Sequence, residues 1–313
     1  MKLDVSVIGL LNIDLIVRGS APKNIDDLLN WMKESEIECL VAGACGYLIQ
    51  NLAKLGLKTG VITNIADDEF GLIIQKKLKD LNIDTKRLKI QKNTKSAIAL
   101  FMLLFGNNKR PMTFRMMTHE PIPKSFSKED LEYVFSSRLL HHAGYLHYPN
   151  KEITLDLFKK VKEQGLKISM DPQFPLYPLD KPWLNAFNGI LEYIDILFVN
   201  KEEALGLTDL SNLDEAATKL LKCGPEIVAV KLGADGCIIY TGNQCIKKPA
   251  IPVENIIDTI GAGDAFDTGF IVGYLEGLSL EKTINLALKV ASYSLQGLGG
   301  SSSIPKREDI KID

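Results

Sequence analysis

Asp258-Thr-Ile-Gly-Ala-Gly-Asp264 stands directly before a helical run, Ala265 to Leu275. The small residues Gly261, Ala262 and Gly263 let backbone N–H groups crowd round an anion, and a helix N-terminus adds partial positive charge. Asp264 falls in the middle of that turn. An acid beside an anion hole points to a general base next to a phosphoryl group in transit. A plain turn with a helix cap is the alternative that this segment alone leaves open. Asn12 and Asp14 follow the first strand in a Gly9-x-x-Asn-x-Asp14 pattern. There a carboxylate faces the crevice in which α/β folds bind ligands.

These residues need elements to position them. Strand-like runs cover Val5–Leu11, Gly60–Ile65, Leu139–Ala143, Leu166–Met170, Ile196–Val199, Ile227–Lys231 and Cys237–Tyr240. Helical periods cover Ala44–Leu55, Glu69–Leu81, Ile153–Gln164, Ala265–Leu275 and Leu280–Gln296. This alternation predicts an α/β fold: a mainly parallel, doubly wound sheet with helices on both faces. Residues 13–40 and 94–117 break the pattern. The second reads as a hairpin turning at Gly106-Asn-Asn-Lys109. Strands without helices between them predict a small β-sheet lid on one continuous domain, residues 1–313. The exposed apolar face of such a lid predicts a homodimer.

Bulk properties narrow the function classes. A net charge of −2 provides no electrostatic footprint for nucleic acid or an anionic membrane. No apolar run approaches the ~18 residues of a membrane span. Asp4 interrupts the apolar N-terminus, which reads as a strand rather than a signal peptide. Five cysteines without CxxC spacing predict reduced thiols and a cytoplasmic protein. No HExxH motif is present. Gly9-Leu-Leu-Asn-Ile-Asp14 lacks the GxGxxG of a Rossmann dehydrogenase.

Together the motifs resemble the ribokinase-like (PfkB) carbohydrate kinase family along essentially the whole chain. Asp258 to Gly269 fits its DTxGAGDxFxxG signature, and Ala42-Gly-Ala-Cys-Gly-Tyr47 stands where GGxxxN is usual. Asp67-Asp-Glu-Phe-Gly71, Asn200-Lys-Glu-Glu203 and Lys231-Leu-Gly-Ala-Asp-Gly236 match three further elements in order. The resemblance implies a ribokinase-like fold and ATP-dependent phosphorylation of a hydroxymethyl group on a small molecule: a sugar, sugar acid or nucleoside. It implies Asp264 as base, with the Gly261, Ala262 and Gly263 amides on the transferred phosphoryl. Asn12, Asp14, Gly43 and Tyr47 match substrate-side positions. Asn200, Lys231, Gly233 and Gly236 match nucleotide-side positions, with Glu203 organising Mg²⁺ through water. Asp258, Ile260, Gly299 and Ser303 match a monovalent-cation (K⁺) site.

Several positions depart from the family or stand outside its motifs. Tyr47 replaces a common Asn, and Ala44 replaces a Lys of several relatives, which counts against a substrate already phosphorylated. Arg115, a lone cation on the second lid strand, is a candidate substrate contact or a solvated edge charge. His142, His147 and Asp171-Pro-Gln173 are weaker candidates. A phosphosugar kinase and a sensing relative without chemistry remain the competing readings.

Overall fold

Strand residues Ile196 to Asn200 show how the main layer is covered. Ile196 and Phe198 pack into one apolar core, and Leu197 and Val199 into another on the opposite face. A strand apolar on both faces belongs inside a sheet with helices above and below. The computed structural model describes residues 2–19, 23–31, 36–103, 112–187 and 189–312. The turn expected at Gly106–Lys109 lies outside the described residues.

In chain order the strands are β1 (Val5–Ile8), β2 (Asn12–Arg18), β3 (Glu36–Ala42), β4 (Thr59–Ala66), β5 (Asp84–Gln91), β6 (Ile98–Leu103), β7 (Met112–Arg115), β8 (Leu139–Ala143), β9 (Lys167–Asp171), β10 (Ile196–Asn200), β11 (Ile227–Lys231), β12 (Cys237–Thr241) and β13 (Cys245–Lys248). The helices are α1 (Ile25–Trp31), α2 (Gly46–Lys54), α3 (Glu69–Asp80), α4 (Lys128–Phe135), α5 (Lys151–Glu163), α6 (Lys201–Thr208), α7 (Leu213–Lys222), α8 (Ala262–Leu275) and α9 (Leu280–Ser294). The main sheet has nine strands in the order β13-β12-β11-β10-β9-β8-β1-β4-β5. Its pairs are parallel except β11–β12 and β12–β13. Helices α2, α3, α8 and α9 cover one face, and α4 to α7 the other. This is the expected α/β ribokinase-like layer.

The sheet grows outward from β1 in both directions, to β4 on one side and β8 on the other. The crevice at such a switch point, beyond the strands' carboxyl ends, is where open α/β sheets bind ligands. Above it stands a four-stranded sheet, β3-β2-β6-β7, built from the two segments that broke the alternation. Asp14 pairs with Ala99, and Ala99 with Phe114, so these three side chains share one row on one face.

Two elements differ from expectation in ways that matter for the site. Helix α8 begins at Ala262 instead of Ala265, with Gly261 as N-cap, so Asp264 lies in the first helical turn and not in a preceding loop. Strand β9 runs one residue further than expected, to Asp171, and delivers that carboxylate to the crevice. The edge strands β5 and β13 went unread in the sequence, because their alternation is polar and half-exposed.

Candidate active site

The carboxyl ends of β9, β10 and β11 deliver Asp171, Asn200 and Lys231. Lys231 Nζ lies 2.7 Å from Asp171 Oδ2 and 3.1 Å from both oxygens of Asp267, one turn along α8 from Asp264. All three side chains are buried or nearly so. Burial opposes the charge on Lys231, but the facing carboxylates outweigh it and hold the ammonium well above the ordinary lysine range. Burial likewise opposes the charge on Asp171, yet Lys231 and hydrogen bonds keep it below the usual carboxylate range. Asp267 goes the other way: burial, with Asp171 beside it, pushes its carboxyl far up. Lys231 is thus committed to two acids rather than reaching outward. Its ammonium nevertheless lies beneath the glycine turn, 3.4 Å from where a Cβ on Gly263 would stand.

Asp264 opens onto this arrangement. Burial pushes its carboxyl up to about 8, with Asp171, Asp14 and Glu203 adding to the rise and Lys231 opposing it. Among the described hydrogen bonds none uses its carboxylate; only its backbone oxygen accepts, from Thr268 Oγ1 at 2.6 Å. Gly261 has φ +75°, and a Cβ there would stand 2.6 Å from Gly300 Cα and 2.9 Å from Tyr47 Cδ2. Only glycine leaves that backbone open to a ligand.

Asn200 and Glu203 form a reciprocal capping box at the start of α6. Asn200 Oδ1 accepts from the Glu203 amide at 2.8 Å, and Glu203 Oε2 from the Asn200 amide at 2.7 Å. Burial, then Asp171, raises Glu203 to about 7. Among the described residues no group of three or more His, Cys, Asp or Glu side chains is placed to cage a metal. Four acids, Asp171, Glu203, Asp264 and Asp267, instead surround one lysine. Four carboxyl groups facing one cation fit Mg²⁺ held mainly by water and phosphate oxygens. Gly233 and Gly236 flank a tight turn between β11 and β12, on the Asn200 side.

Asp258 joins two loops. Its Oδ1 accepts from the Ile260 amide and its Oδ2 from the Gly299 amide, both at 3.0 Å. No described lysine or arginine pairs with this buried carboxylate. Ser303 Oγ donates to the Tyr293 carbonyl at 2.6 Å, which closes the loop that starts at Gly299.

A cavity of about 300 Å³ lies between the crevice and the small sheet; Asp264, Gly261, Gly43 and Asp14 are among its walls. Gly43, at φ +102°, closes against the Leu10 carbonyl, 2.5 Å from where its Cβ would be. Tyr47 is buried, and its hydroxyl donates to Asp14 Oδ2 at 2.9 Å; Asn12 Nδ2 donates to Asp14 Oδ1 at 3.2 Å. Burial raises Asp14 to about 6 despite these donors. Arg115 lines the cavity too, but its guanidinium is already paired. Its Nη2 lies 3.0 Å from Asp68 Oδ2 and 2.9 Å from the Ser96 carbonyl, and its guanidinium stacks over Phe70. The structure therefore spends the cation offered as a substrate contact on the N-cap of α3. His147 lines the cavity, His142 a neighbouring one, and burial lowers both to about 4, so they are neutral near pH 7. Gln173 braces the floor through Nε2 to the Ala44 carbonyl at 2.9 Å. Sequence reading missed Asp267. Its spacing from Asp264, three residues on a helix, was the available signal.

The description "pfkB family carbohydrate kinase" matches residues 2–307. The chain belongs to this family. It is a phosphotransferase with an alcohol group as acceptor. Over 275 residues the chain is 25% identical to a 2-dehydro-3-deoxygluconokinase of Bacillus subtilis, covering 86% of this chain and 85% of that protein. A solved structure of Arabidopsis thaliana ribokinase with ribose and ATP superposes at a TM-score of 0.80, with 25% identity, over 98% of this chain and 97% of that one. The fold is shared too with a putative ribokinase II from E. coli solved with ATP and Mg²⁺, at a TM-score of 0.80, 20% identity, and 98% and 97% coverage. Among the described residues no helix is long and apolar enough to cross a membrane.

Proposed function

We propose that this family member transfers the γ-phosphoryl group of ATP to a hydroxymethyl group of a sugar, sugar acid or nucleoside, with Asp264 as general base. The carrying observation is the unclaimed Asp264 carboxylate at the cavity floor, one residue past the glycine turn. The acceptor oxygen forms a bond to the γ-phosphorus while its proton passes to Asp264. The bond to the β,γ-bridging oxygen breaks, and its electron pair leaves on ADP. Gly261, Ala262 and Gly263 present amides to the phosphoryl oxygens, backed by Lys231. Gly233 and Gly236 support the nucleotide. Mg²⁺, organised by Asn200 and Glu203 through water, supplies charge neutralisation at the phosphates. Asp258, with the Ile260 carbonyl, Gly299 and Ser303, is the proposed K⁺ site; its support is a buried carboxylate with no described cationic partner. ATP consumption with Mg²⁺ across sugars, sugar acids, phosphosugars and nucleosides, in KCl and in choline chloride, tests this reading. No acceptor-dependent ADP from any class would leave the sensing alternative.

Residues 13–40 and 94–117 act in this reading as a lid that excludes water from the transfer. Exposed Ile37, opposite Val17 and so on the face of that sheet away from Asp14, supports a homodimer formed through it. Sedimentation at micromolar concentration is expected to report a dimer; a monomer would overturn that assignment.

Tyr47 sets acceptor choice. Its hydroxyl already occupies one oxygen of Asp14, and its ring backs the glycine turn. Tyr47→Asn frees Asp14 Oδ2 for a substrate hydroxyl and opens space beside it. The ratios of kcat/KM among sugars and nucleosides are expected to shift by at least about tenfold. An unchanged rank order at unchanged magnitudes would make Tyr47 a packing residue.

A further inference from the structure

Resting on the kinase reading, we infer that the acceptor is an uncharged nucleoside: a pentose whose hydroxyls meet Asp14 and Asn12 and whose flat base lies along the cavity face of the small sheet. The register carries this. Asp14, Ala99 and Phe114 form one row across β2, β6 and β7, and Ala97 stands beside Ala99 on the same face. Ala99 between a carboxylate and an aromatic ring, with Ala97 beside it, leaves a trough. Two strand spacings make it about 10 Å from the Asp14 end to the Phe114 end. That is longer than a single sugar ring, and its two ends differ in chemistry.

The polar end presents acceptors. Asp14 keeps lone pairs beyond those taken by Tyr47 and Asn12, and buried Asn12 Oδ1 has no protein partner. Acceptors pair with hydroxyl donors and repel carboxylates and phosphates. Phe114 closes the far end, and Phe101, Met112, Met116 and Leu176 line the same cavity. A hexose or sugar acid lying there would leave hydroxyls against hydrocarbon without partners. A heteroaromatic ring would instead bury its faces against methionine and phenyl surfaces.

Charge excludes the acidic classes independently. Among the described residues Arg115 is the cation lining the cavity, and Asp68 and Ser96 already hold it. His147, the remaining basic side chain there, is neutral near pH 7. An anionic acceptor would enter beside Asp14 and Asp264 with no free counter-charge.

The test measures binding as well as turnover. Adenosine, guanosine, cytidine, uridine, ribose, 2-dehydro-3-deoxygluconate and fructose 6-phosphate are titrated calorimetrically into the full-length protein with Mg²⁺ and a non-hydrolysable ATP analogue. The same panel is then assayed with ATP. At least one nucleoside is expected to bind on the order of 100-fold more tightly than ribose, from the apolar area of the base. Less than a tenfold advantage over ribose, the sugar acid or the phosphosugar overturns the inference. Phe114→Ala, on an exposed position, is expected to lower the nucleoside-to-ribose ratio of kcat/KM at least threefold; an unmoved ratio overturns the placement of the base. The two readings fail separately. Tight nucleoside binding without phosphoryl transfer sinks the kinase reading and keeps the ligand class. Turnover of ribose or an acid as good as that of any nucleoside does the reverse.

Discussion

Replacing Asp264 by Asn is expected to lower turnover by about 100-fold or more and, in the same protein, to raise the melting temperature. Turnover falls because the amide cannot take the acceptor's proton. Stability rises because the carboxyl carries a conflict in the folded state. Burial lifts it to about 8 from an ordinary value of 3.8. In the unfolded chain it ionises freely above pH ~4, while the folded protein retains its proton until about pH 8. The unfolded state therefore binds fewer protons between those values, and folding stability falls as pH rises across them. Asparagine has no proton to hold, so at pH 7 the variant escapes that loss and should melt at least about 2 °C higher. The same titration shapes the rate. The base must be ionised, so wild-type kcat/KM should climb as pH rises through about 8 and then level, and the residual activity of Asp264→Asn should lack that limb. Scanning calorimetry and initial rates between pH 6 and pH 9.5 measure both halves. Near wild-type turnover would remove Asp264 from the mechanism. A lower melting temperature would mean that its carboxylate stabilises the fold.

The glycine turn, the small sheet's two segments and the strand–helix order were all legible in the sequence, for a common reason. Each is a local signal: small residues before a helix, strands that break the strand–helix alternation (although α1 stands between β2 and β3), or a change of apolar period. Helices α4 and α7 carried local signals that went unread, the capping box of Ser127 with Asp130 and the Asn212 cap. The partners of the site's charges were not legible. Nothing at Lys231 indicates that it meets Asp171, 60 positions away, and Asp267, 36 positions away. Arg115 read as an edge-strand cation, but its fate depends on the N-cap of α3 lying 47 positions earlier. Tyr47 read as a departure from a motif. Only the closure of β2 over α2 shows that its hydroxyl is bonded to Asp14. Such pairings are products of topology, and a single sequence without structure does not display them.

Lys231 is where that hidden pairing has its largest effect on stability. Lys231→Met keeps most of the side chain's length and removes its charge from between Asp171 and Asp267, both buried. Leaving the buried Asp171 carboxylate without its cation costs about 3–5 kcal/mol in comparable ion pairs. The pH dependence should also change form. In the wild type Lys231 holds Asp171 below its ordinary range, so that carboxylate contributes stability above the unfolded pKa and loses it only as pH falls through the lower folded value. Without Lys231, burial, the largest influence on Asp171, is opposed only by its hydrogen bonds from Asp267 and the Gln173 amide, and its carboxyl rises. Its contribution then reverses: the variant should be least stable at neutral and alkaline pH and regain stability as the carboxyl protonates towards pH 5. Asp171→Asn added to Lys231→Met removes the stranded charge and should recover a large part of the loss at pH 7. Loss of the cation also removes the opposing influence on Asp264, so residual kcat/KM should rise at higher pH than in the wild type. Urea unfolding of the wild type, the single variant and the double variant at pH 5 and pH 7 tests each step. A Lys231→Met protein as stable as wild type at pH 7 would mean that the three groups do not form a charged cluster in solution, and that the anion turn is supported without it.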